Sequence, residues 1–161
     1  MRLQRLTGAH ATAVLRFEQE NREWFARSVP DRGDDYFATF PDRHAALLAE
    51  QDAGDCHFHV LIDEDGAVVA RLNLVDVADG QAELGFRVAQ RAAGRGVATA
   101  GVRQICALAR TGYGLRRLIA DADRDNAGSL TVLRRTGFRP VGAVLLAGRP
   151  GIRHRRDLIE P

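Results

Sequence analysis

The sequence contains no lysine, so all 23 of its basic side chains other than histidine are arginines. A Walker-type nucleotide-binding loop ends in Gly-Lys-Ser/Thr, and the missing lysine excludes that class of phosphate site. Only two cysteines occur, Cys56 and Cys106, and they do not form a Cys-x-x-Cys pair. Both lie in apolar runs, which predicts buried free thiols and excludes a disulfide-rich scaffold.

Long apolar runs are also absent. No stretch approaches the roughly 18 consecutive apolar residues that a membrane helix needs. The first ten residues, MRLQRLTGAH, lack the apolar segment of a signal peptide. We therefore expect a cytoplasmic protein without a membrane span. The 161 residues, of which 45% are hydrophobic and 27% charged, predict a single domain over residues 1–161.

The charge is unevenly distributed along the chain. Residues 1–80 carry 8 Arg and 15 Asp or Glu, for a net charge of −7, whereas residues 81–161 carry 15 Arg and 6 Asp or Glu, for +9. A basic second half suits a polyphosphate and an acidic first half suits an amine, although solvated charged faces alone produce the same split. The arginines are dispersed and form no single basic helix, so nucleic-acid binding is not expected.

Hydrophobic periodicity and turn residues predict the order strand, two helices, three strands, helix, strand, helix and two strands. The predicted helices cover residues 10–25, 42–51 and 97–111, with a fourth that Asn126 caps and Gly137 ends, and residues 28–35 are predicted as a loop. The predicted strands cover residues 2–6, 56–63, 67–77, 82–88, 117–122, 138–146 and 152–159. Short turns between the second, third and fourth strands predict an antiparallel meander.

The most specific stretch is QRAAGRGVATAG, residues 90–101, which joins a predicted strand to a predicted helix. Such a turn directs backbone N–H groups and the positive end of the helix dipole at one point, which favours an anion. Gly94 and Gly96 allow the chain to approach a phosphate closely, and Arg91 and Arg95 add charge. A dinucleotide fingerprint is excluded because Thr99 stands where its last glycine is required. A turn that only connects strand and helix is the alternative.

The pattern Arg-x-x-Gly-x-Gly, filled by Arg91, Gly94 and Gly96, resembles the signature loop of the Gcn5-related N-acetyltransferase (GNAT) superfamily. Neighbouring stretches agree with this resemblance: AELGF before the loop, RLIADA after the helix, and then Asn126-Ala-Gly-Ser129 followed by LRRTGF. Their spacing is similar to that of the Rim branch, the RimJ- and RimL-like ribosomal-protein N-terminal acetyltransferases. The resemblance covers nearly the whole chain.

The resemblance implies an α/β fold with a mixed, mostly antiparallel sheet of six to seven strands, a central splay and about four flanking helices. It also implies acetyl-CoA as cofactor and CoA as product. The loop cradles the pyrophosphate in this family, and the pantetheine arm fills the gap beside the splayed strand. The implied cofactor-binding residues are Phe86, Arg87, Val88, Arg91, Ala93, Gly94, Arg95, Gly96, Val97, Ala98 and Asn126.

Acetyl transfer to an amine requires a base, a partner for the oxyanion and an acid for the departing thiolate. The resemblance implies Glu83 as the base and a backbone N–H near Val88 as the oxyanion partner. Many relatives use a tyrosine as the acid, but Tyr36 and Tyr113 lie elsewhere in the sequence. The resemblance to the Rim branch implies Ser129, the serine of the Asn-x-x-Ser motif, as the acid. The alternative for Glu83 is an exposed strand carboxylate without a catalytic role. The alternative for Ser129 is a serine that only satisfies N–H groups in the first turn of a helix.

The acceptor site is predicted from both ends of the chain. The candidate residues are Asn21, Arg22, Trp24, Phe25, Tyr36, Phe37 and Asp157, although at least two of the aromatic side chains are expected in the core. His57 and His59 share one face of a strand. No third ligand accompanies them, so no metal site is expected.

The sequence thus predicts an N-acetyltransferase that moves acetyl from acetyl-CoA to a primary amine by direct attack in a ternary complex. The favoured acceptor is a protein or peptide N-terminus. The alternatives are a small amine such as an antibiotic or a polyamine, and a catalytically weak CoA-binding sensor or interaction module. A monomer or homodimer is expected, with no membrane or nucleic-acid partner.

Overall fold

Seven strands form one sheet in the computed structural model, which describes residues 1–158. The strands are β1 (Arg2–Arg5), β2 (His57–Ile62), β3 (Val68–Ala78), β4 (Gln81–Val88), β5 (Arg117–Asp123), β6 (Arg139–Leu146) and β7 (Arg149–Asp157). Their order across the sheet is β1-β2-β3-β4-β5-β7-β6. All neighbouring pairs are antiparallel except β4 and β5, which are parallel. The mixed, mostly antiparallel sheet is therefore confirmed. The end of the last predicted strand, Ile159, lies outside the described residues.

Residues 1–158 contain six α-helices, where about four were expected. They are α1 (Ala11–Glu20), α2 (Arg22–Ala26), α3 (Asp34–Ala38), α4 (Phe40–Asp52), α5 (Val97–Thr111) and α6 (Ala127–Arg135). The single helix predicted over residues 10–25 is wrong, because Asn21 separates α1 from α2. Its side-chain amide donates to the Phe17 carbonyl at 2.9 Å, and its Oδ1 accepts from the Gln90 N–H at 2.9 Å. A polar side chain bonded to backbone in this way competes with continued helix.

The predicted loop over residues 28–35 is partly wrong, since α3 begins within it. Gly33, in the left-handed region at φ 89°, precedes α3, and Asp34 and Asp35 occupy its first turn, where carboxylates favour the helix dipole. No helix within residues 1–158 has the length and apolarity needed to cross a membrane.

The core consists of two apolar clusters, one on each face of the sheet. On one face, α5 and α6 bury residues such as Ile105 and Leu133 against strand residues including Leu72 and Leu118. On the other face, α1 to α4 contribute a second cluster that includes Phe17, together with Phe40 and Val60. The two cysteines are buried free thiols, as expected.

The sheet opens between its two parallel strands. β4 and β5 pair only at Gln81–Arg117, Ala82–Leu118 and Glu83–Ile119. β4 continues to Val88 alongside β3, and β5 continues to Asp123 alongside β7. Within the described chain, the β5-facing edge of β4 therefore has no strand partner after Glu83. The predicted central splay is confirmed.

Candidate active site

The glycine-rich loop lies between the open end of β4 and the start of α5. Gly94 and Gly96 are both left-handed, at φ 72° and 75°, a conformation that penalises residues with a side chain. A Cβ atom added to either glycine would meet no heavy atom within 4 Å. Gly96 is the N-cap of α5, so the free N–H groups of the first helical turn lie beside the same open space. This arrangement fits an anionic group such as a pyrophosphate.

A cleft of about 520 Å³ extends from this loop into the splay. Its walls come from α2, β4, the loop, the first turn of α5, and α6. Nine of the eleven predicted cofactor-binding residues line this cleft: Phe86, Arg87, Val88, Ala93, Gly94, Gly96, Val97, Ala98 and Asn126. The predicted acid Ser129 and the predicted acceptor residues Trp24 and Phe25 line it as well.

The side chains of Arg91 and Arg95 are not part of the cleft wall. Arg91 turns to the β2–β3 hairpin, where its Nη2 lies 3.1 Å from Asp63 Oδ2. Arg95 stands exposed between the two left-handed glycines.

The backbone of β4 offers hydrogen-bonding groups to the splay. The Ala89 N–H donates to the Val69 carbonyl at 2.9 Å, on the β3 side. Because backbone groups alternate along a strand, those of Val88 and Phe86 point to the opposite side, into the gap. The indole Nε1–H of Trp24 donates to the Val88 carbonyl at 3.2 Å, which leaves the Val88 N–H facing the gap.

The start of α6 forms the wall opposite β4. Asn126 Oδ1 accepts from the Ser129 N–H at 3.1 Å, which caps the helix, so the NH₂ group of Asn126 remains for a ligand. A stripe of this helix that was not among the predicted site residues also lines the cleft: Gly128, Thr131, Val132 and Arg135. Their i, i+3, i+4, i+7 spacing was the available signal. Ser28 and Val29 after α2 were missed too, and no sequence pattern indicates them.

Glu83 lies at the closed end of the splay, where the pairing of β4 with β5 ends. The carboxylate is half-buried. Burial raises its pKa, and the nearby Asp121 and Asp76 raise it further, while Arg153 opposes them. Arg153 itself holds Asp121 in a two-point ion pair, with both contacts at 3.0 Å. A carboxyl group with a raised pKa is suited to proton transfer near neutral pH.

Five predicted acceptor residues are not brought to the cleft wall. Asn21 is buried with its amide bonded to backbone, as described above. Arg22 pairs with Asp31 and Asp34 and stacks on Phe37, and Tyr36 packs edge-on against Phe37 in the helical layer.

Asp157 is the fifth of these residues. On β7, Asp157 is paired with Arg117 of β5, and Arg117 is paired in turn with Gln81, the first residue of β4. Because the cleft lies at the other end of β4, Asp157 is at the end of the sheet opposite the cleft. There it is paired with Arg117, Arg155 and Arg139. A role in acceptor binding stays a prediction for all five.

The two histidines of β2 form a separate group with Tyr113, which follows the C-terminal end of α5; His59 is buried, whereas His57 and Tyr113 are partly exposed. His57 stacks on the Tyr113 ring at 3.7 Å, and His59 Nε2 lies 2.6 Å from the Tyr113 hydroxyl. Burial lowers the pKa of His59 to about 4. Neither Tyr113 nor Tyr36 lines the cleft. Within residues 1–158, no three His, Cys, Asp or Glu side chains are grouped to hold a metal ion.

Comparison with known proteins agrees with this geometry. Residues 1–139 match the family model of the acetyltransferase (GNAT) domain. The probable N-acetyltransferase YjcK of Bacillus subtilis (strain 168) is 26% identical over 135 residues, which are 80% of this chain and 74% of YjcK.

Solved structures share the fold. Ribosomal-protein-S5-alanine acetyltransferase from Vibrio fischeri aligns with a TM-score of 0.89 at 16% identity, covering 96% of this chain and 91% of that one. RimJ of Mycobacterium smegmatis, solved with CoA-disulfide, has a TM-score of 0.86 at 24% identity, covering 96% and 80%. A mutant of spermidine N-acetyltransferase SpeG from Vibrio cholerae has a TM-score of 0.79 at 12% identity, covering 98% and 95%. By its match to the domain model over most of its length, this chain belongs to the GNAT family of acetyltransferases.

Proposed function

We propose that this protein transfers the acetyl group of acetyl-CoA to the primary amine at a peptide N-terminus, by direct attack in a ternary complex. The observation that carries the proposal is the gap between β4 and β5, which opens onto the loop of Gly94 and Gly96. A pyrophosphate at the loop and an extended arm in the gap would together fill one continuous cleft.

The chain's own groups suit acetyl-CoA as the donor. The N–H groups between Arg91 and Ala98 bind the pyrophosphate, the backbone of Phe86 pairs with the pantetheine arm, and the Asn126 NH₂ contacts the arm from α6. RimJ from M. smegmatis, which shares the fold, was solved with CoA-disulfide. Acetyl-CoA supplies an already activated thioester, so no covalent enzyme intermediate is needed. Cys56 and Cys106 lie outside the cleft, and burial raises the pKa of both thiols.

Three groups are proposed to handle protons and charge. Glu83 accepts the proton of the acceptor ammonium, a role that its raised pKa supports. The Val88 N–H points into the gap and stabilises the oxyanion. The Ser129 hydroxyl, on the cleft wall, protonates the leaving thiolate. Ser129→Ala should lower kcat with little change in melting temperature, because the Asn126 cap uses the backbone N–H of residue 129 and not the hydroxyl.

A peptide N-terminus is the proposed acceptor because the loop and the Asn126–Ser129 motif resemble the ribosomal-protein branch. A small amine is the second candidate, since the spermidine acetyltransferase SpeG has the same fold.

We also propose that the whole chain is one domain. β7 lies between β5 and β6, so the segment after residue 139 completes the sheet that the family match covers.

The proposal is tested by measuring CoA thiol release from acetyl-CoA with a panel of short peptides, spermidine and an aminoglycoside. Release with peptides that are unblocked at the N-terminus, and none with their N-acetylated counterparts, is expected. Faster turnover of spermidine or the aminoglycoside would favour the small-amine enzyme. Acetyl-CoA binding without release from any amine would favour a sensor. Thiol release by the same enzyme without any acceptor measures background hydrolysis.

A further inference from the structure

Three arginines surround one buried carboxylate beside the cleft. Glu18, on α1, is 1% exposed and forms ion pairs with Arg71 at 2.7 Å, Arg87 at 2.9 Å and Arg32 at 3.3 Å. We call these four residues the Glu18 cluster. Burial would raise the pKa of Glu18, but the three guanidinium groups lower it, so the carboxylate is charged. The cluster therefore carries two more positive than negative charges.

Among residues 1–158, no other buried acid offsets this excess. Within residues 1–158, Glu18 is the only carboxylate in salt-bridge distance of Arg32, Arg71 and Arg87. The nearby Asp31 and Asp34 pair with Arg22, and the Asp34 side chain is 94% exposed, so water and salt screen it. The Arg71 side chain is 4% exposed, and its buried Nε has no hydrogen-bond partner. Buried cationic groups without full partners are costly, which favours an additional anion.

The guanidinium groups are held in place next to the cleft. Arg87 stacks over the Phe25 ring at 4.4 Å, and Arg32 stacks over the Tyr36 ring at 4.7 Å. Arg87 and Phe25 also form part of the cleft wall. The cluster is thus a fixed cationic surface at the edge of the cleft, and not a set of freely moving side chains.

Along β4, the cluster and the proposed base lie on one face. Side chains alternate along a strand, so Glu83, Gly85 and Arg87 face the same way, with about 13 Å between the first and last Cα atoms. Gly85 between them is exposed, and a Cβ there would meet no heavy atom within 4 Å. Asn73 is paired with Gly85 on β3, and its buried Oδ1 has no hydrogen-bond partner. The face therefore runs from the Glu83 carboxylate, over an open floor beside the unpartnered Oδ1 of Asn73, to the cationic Glu18 cluster.

We propose that this face binds an acceptor that carries an anionic group near its amine, with the amine at Glu83, the carboxylate at Arg87 and the Glu18 cluster, and an intervening polar group at Asn73. The inference rests on the proposed function and narrows its substrate class. In a peptide acceptor whose N-terminal amine lies at Glu83, an acidic side chain at one of the first four positions can reach Arg87. A polyamine would bring positive charge against the guanidinium groups, and this repulsion disfavours it.

The test compares matched hexapeptides that share an N-terminal residue and carry Glu, Gln or Lys at one of positions two to four. We expect kcat/KM, from thiol release, to be at least tenfold higher for the best Glu peptide than for its Gln counterpart, and lowest with Lys. The preference should shrink as salt is raised. A free ω-amino acid long enough to span this distance and its amide form a second arm: a preference confined to that arm would identify a small acidic amine as the source of the carboxylate.

Variants separate recognition from a purely structural role. Arg32→Gln, at the solvent-facing edge of the cluster, should lower the Glu-to-Gln ratio severalfold, while Arg16→Gln on the exposed face of α1 should leave it unchanged. A lower melting temperature of Arg32→Gln with an unchanged ratio would overturn the inference. Equal rates with Glu, Gln and Lys peptides would also overturn it, yet leave the proposed function standing. Release from no acceptor would overturn both.

Discussion

The indole N–H of Trp24 donates a hydrogen bond to the main-chain carbonyl of Val88, at 3.2 Å. This bond ties α2 to the last residue of β4, beyond the point where β5 has separated. One of the two backbone groups that Val88 directs into the splay is thereby used by the protein itself. The other, its N–H, remains for a ligand.

Trp24 is the only tryptophan of the chain and lies on the cleft wall, so its fluorescence reports on that site alone. We expect a saturable change in intrinsic fluorescence when acetyl-CoA is added. Trp24→Phe keeps an aromatic ring but removes the N–H, so it should abolish this fluorescence change and lower the free energy of unfolding in urea by about 1 kcal/mol. A fluorescence signal that does not respond to saturating acetyl-CoA would contradict the location of the site.

Gly94→Val should reduce acetyl-CoA affinity at least 100-fold, because its side chain would project into the space beside the loop. Gly54→Val is a matched control. Gly54 is also left-handed, at φ 83°, and a Cβ there also meets no heavy atom within 4 Å, but it follows α4, away from the cleft. Both changes cost about 1–2 kcal/mol in backbone strain. Equal losses of affinity in the two variants would mean that strain, and not ligand contact, explains the effect.

Glu83→Gln should lower kcat/KM about 100-fold at neutral pH. Below its raised pKa, Glu83 is protonated and cannot act as a base, so the ratio of wild-type to variant rates should be small in acid. It should rise with pH through a midpoint above the ordinary glutamate value and then level off. Using the ratio cancels the ionisation of the acceptor amine.

Asp121→Asn is the companion variant for the base. It removes a charge that raises the pKa of Glu83 and frees Arg153, which lowers it. The midpoint of the rate ratio should therefore move to lower pH. A ratio that stays constant across the pH range would exclude Glu83 as the base.

His59 should make the fold less stable in mild acid. Its pKa is about 4 in the folded protein, against about 6.5 for an ordinary histidine, so the unfolded chain binds the proton more readily between these values. Stability should then fall as pH drops from 6.5 toward 4, by about 3 kcal/mol in total. Urea unfolding of wild type and His59→Gln at several pH values measures this. The free energy of unfolding of His59→Gln should fall less between pH 6.5 and 4 than that of the wild type. Equal falls in the two proteins would contradict the low pKa assigned to His59.

The sequence predicted those features that depend on short-range patterns. Alternation and turn residues indicate the strands, and the two glycines before α5 indicate the loop, because left-handed backbone favours glycine wherever it occurs. Asn126 was recognised as a helix cap from its own neighbourhood. The parallel pair with its splay came only from the family resemblance.

Features that depend on distant partners were not predictable. Asn21 ends α1 through bonds that include Gln90, 69 positions away. Arg91 leaves the loop because Asp63 attracts it, and Asp157 is held by arginines of neighbouring strands. The Glu18 cluster joins α1, β3 and β4 through contacts of more than 50 positions. Neither hydrophobic periodicity nor residue spacing in the sequence indicates contacts between residues so far apart.

The most direct test of the account is a calorimetric titration of acetyl-CoA into the purified protein, followed in the same sample by thiol release on adding the peptide panel. We predict saturable binding with one acetyl-CoA per chain, and thiol release that depends on a free N-terminal amine. An absence of binding would contradict the assignment of the loop and splay as the acetyl-CoA site.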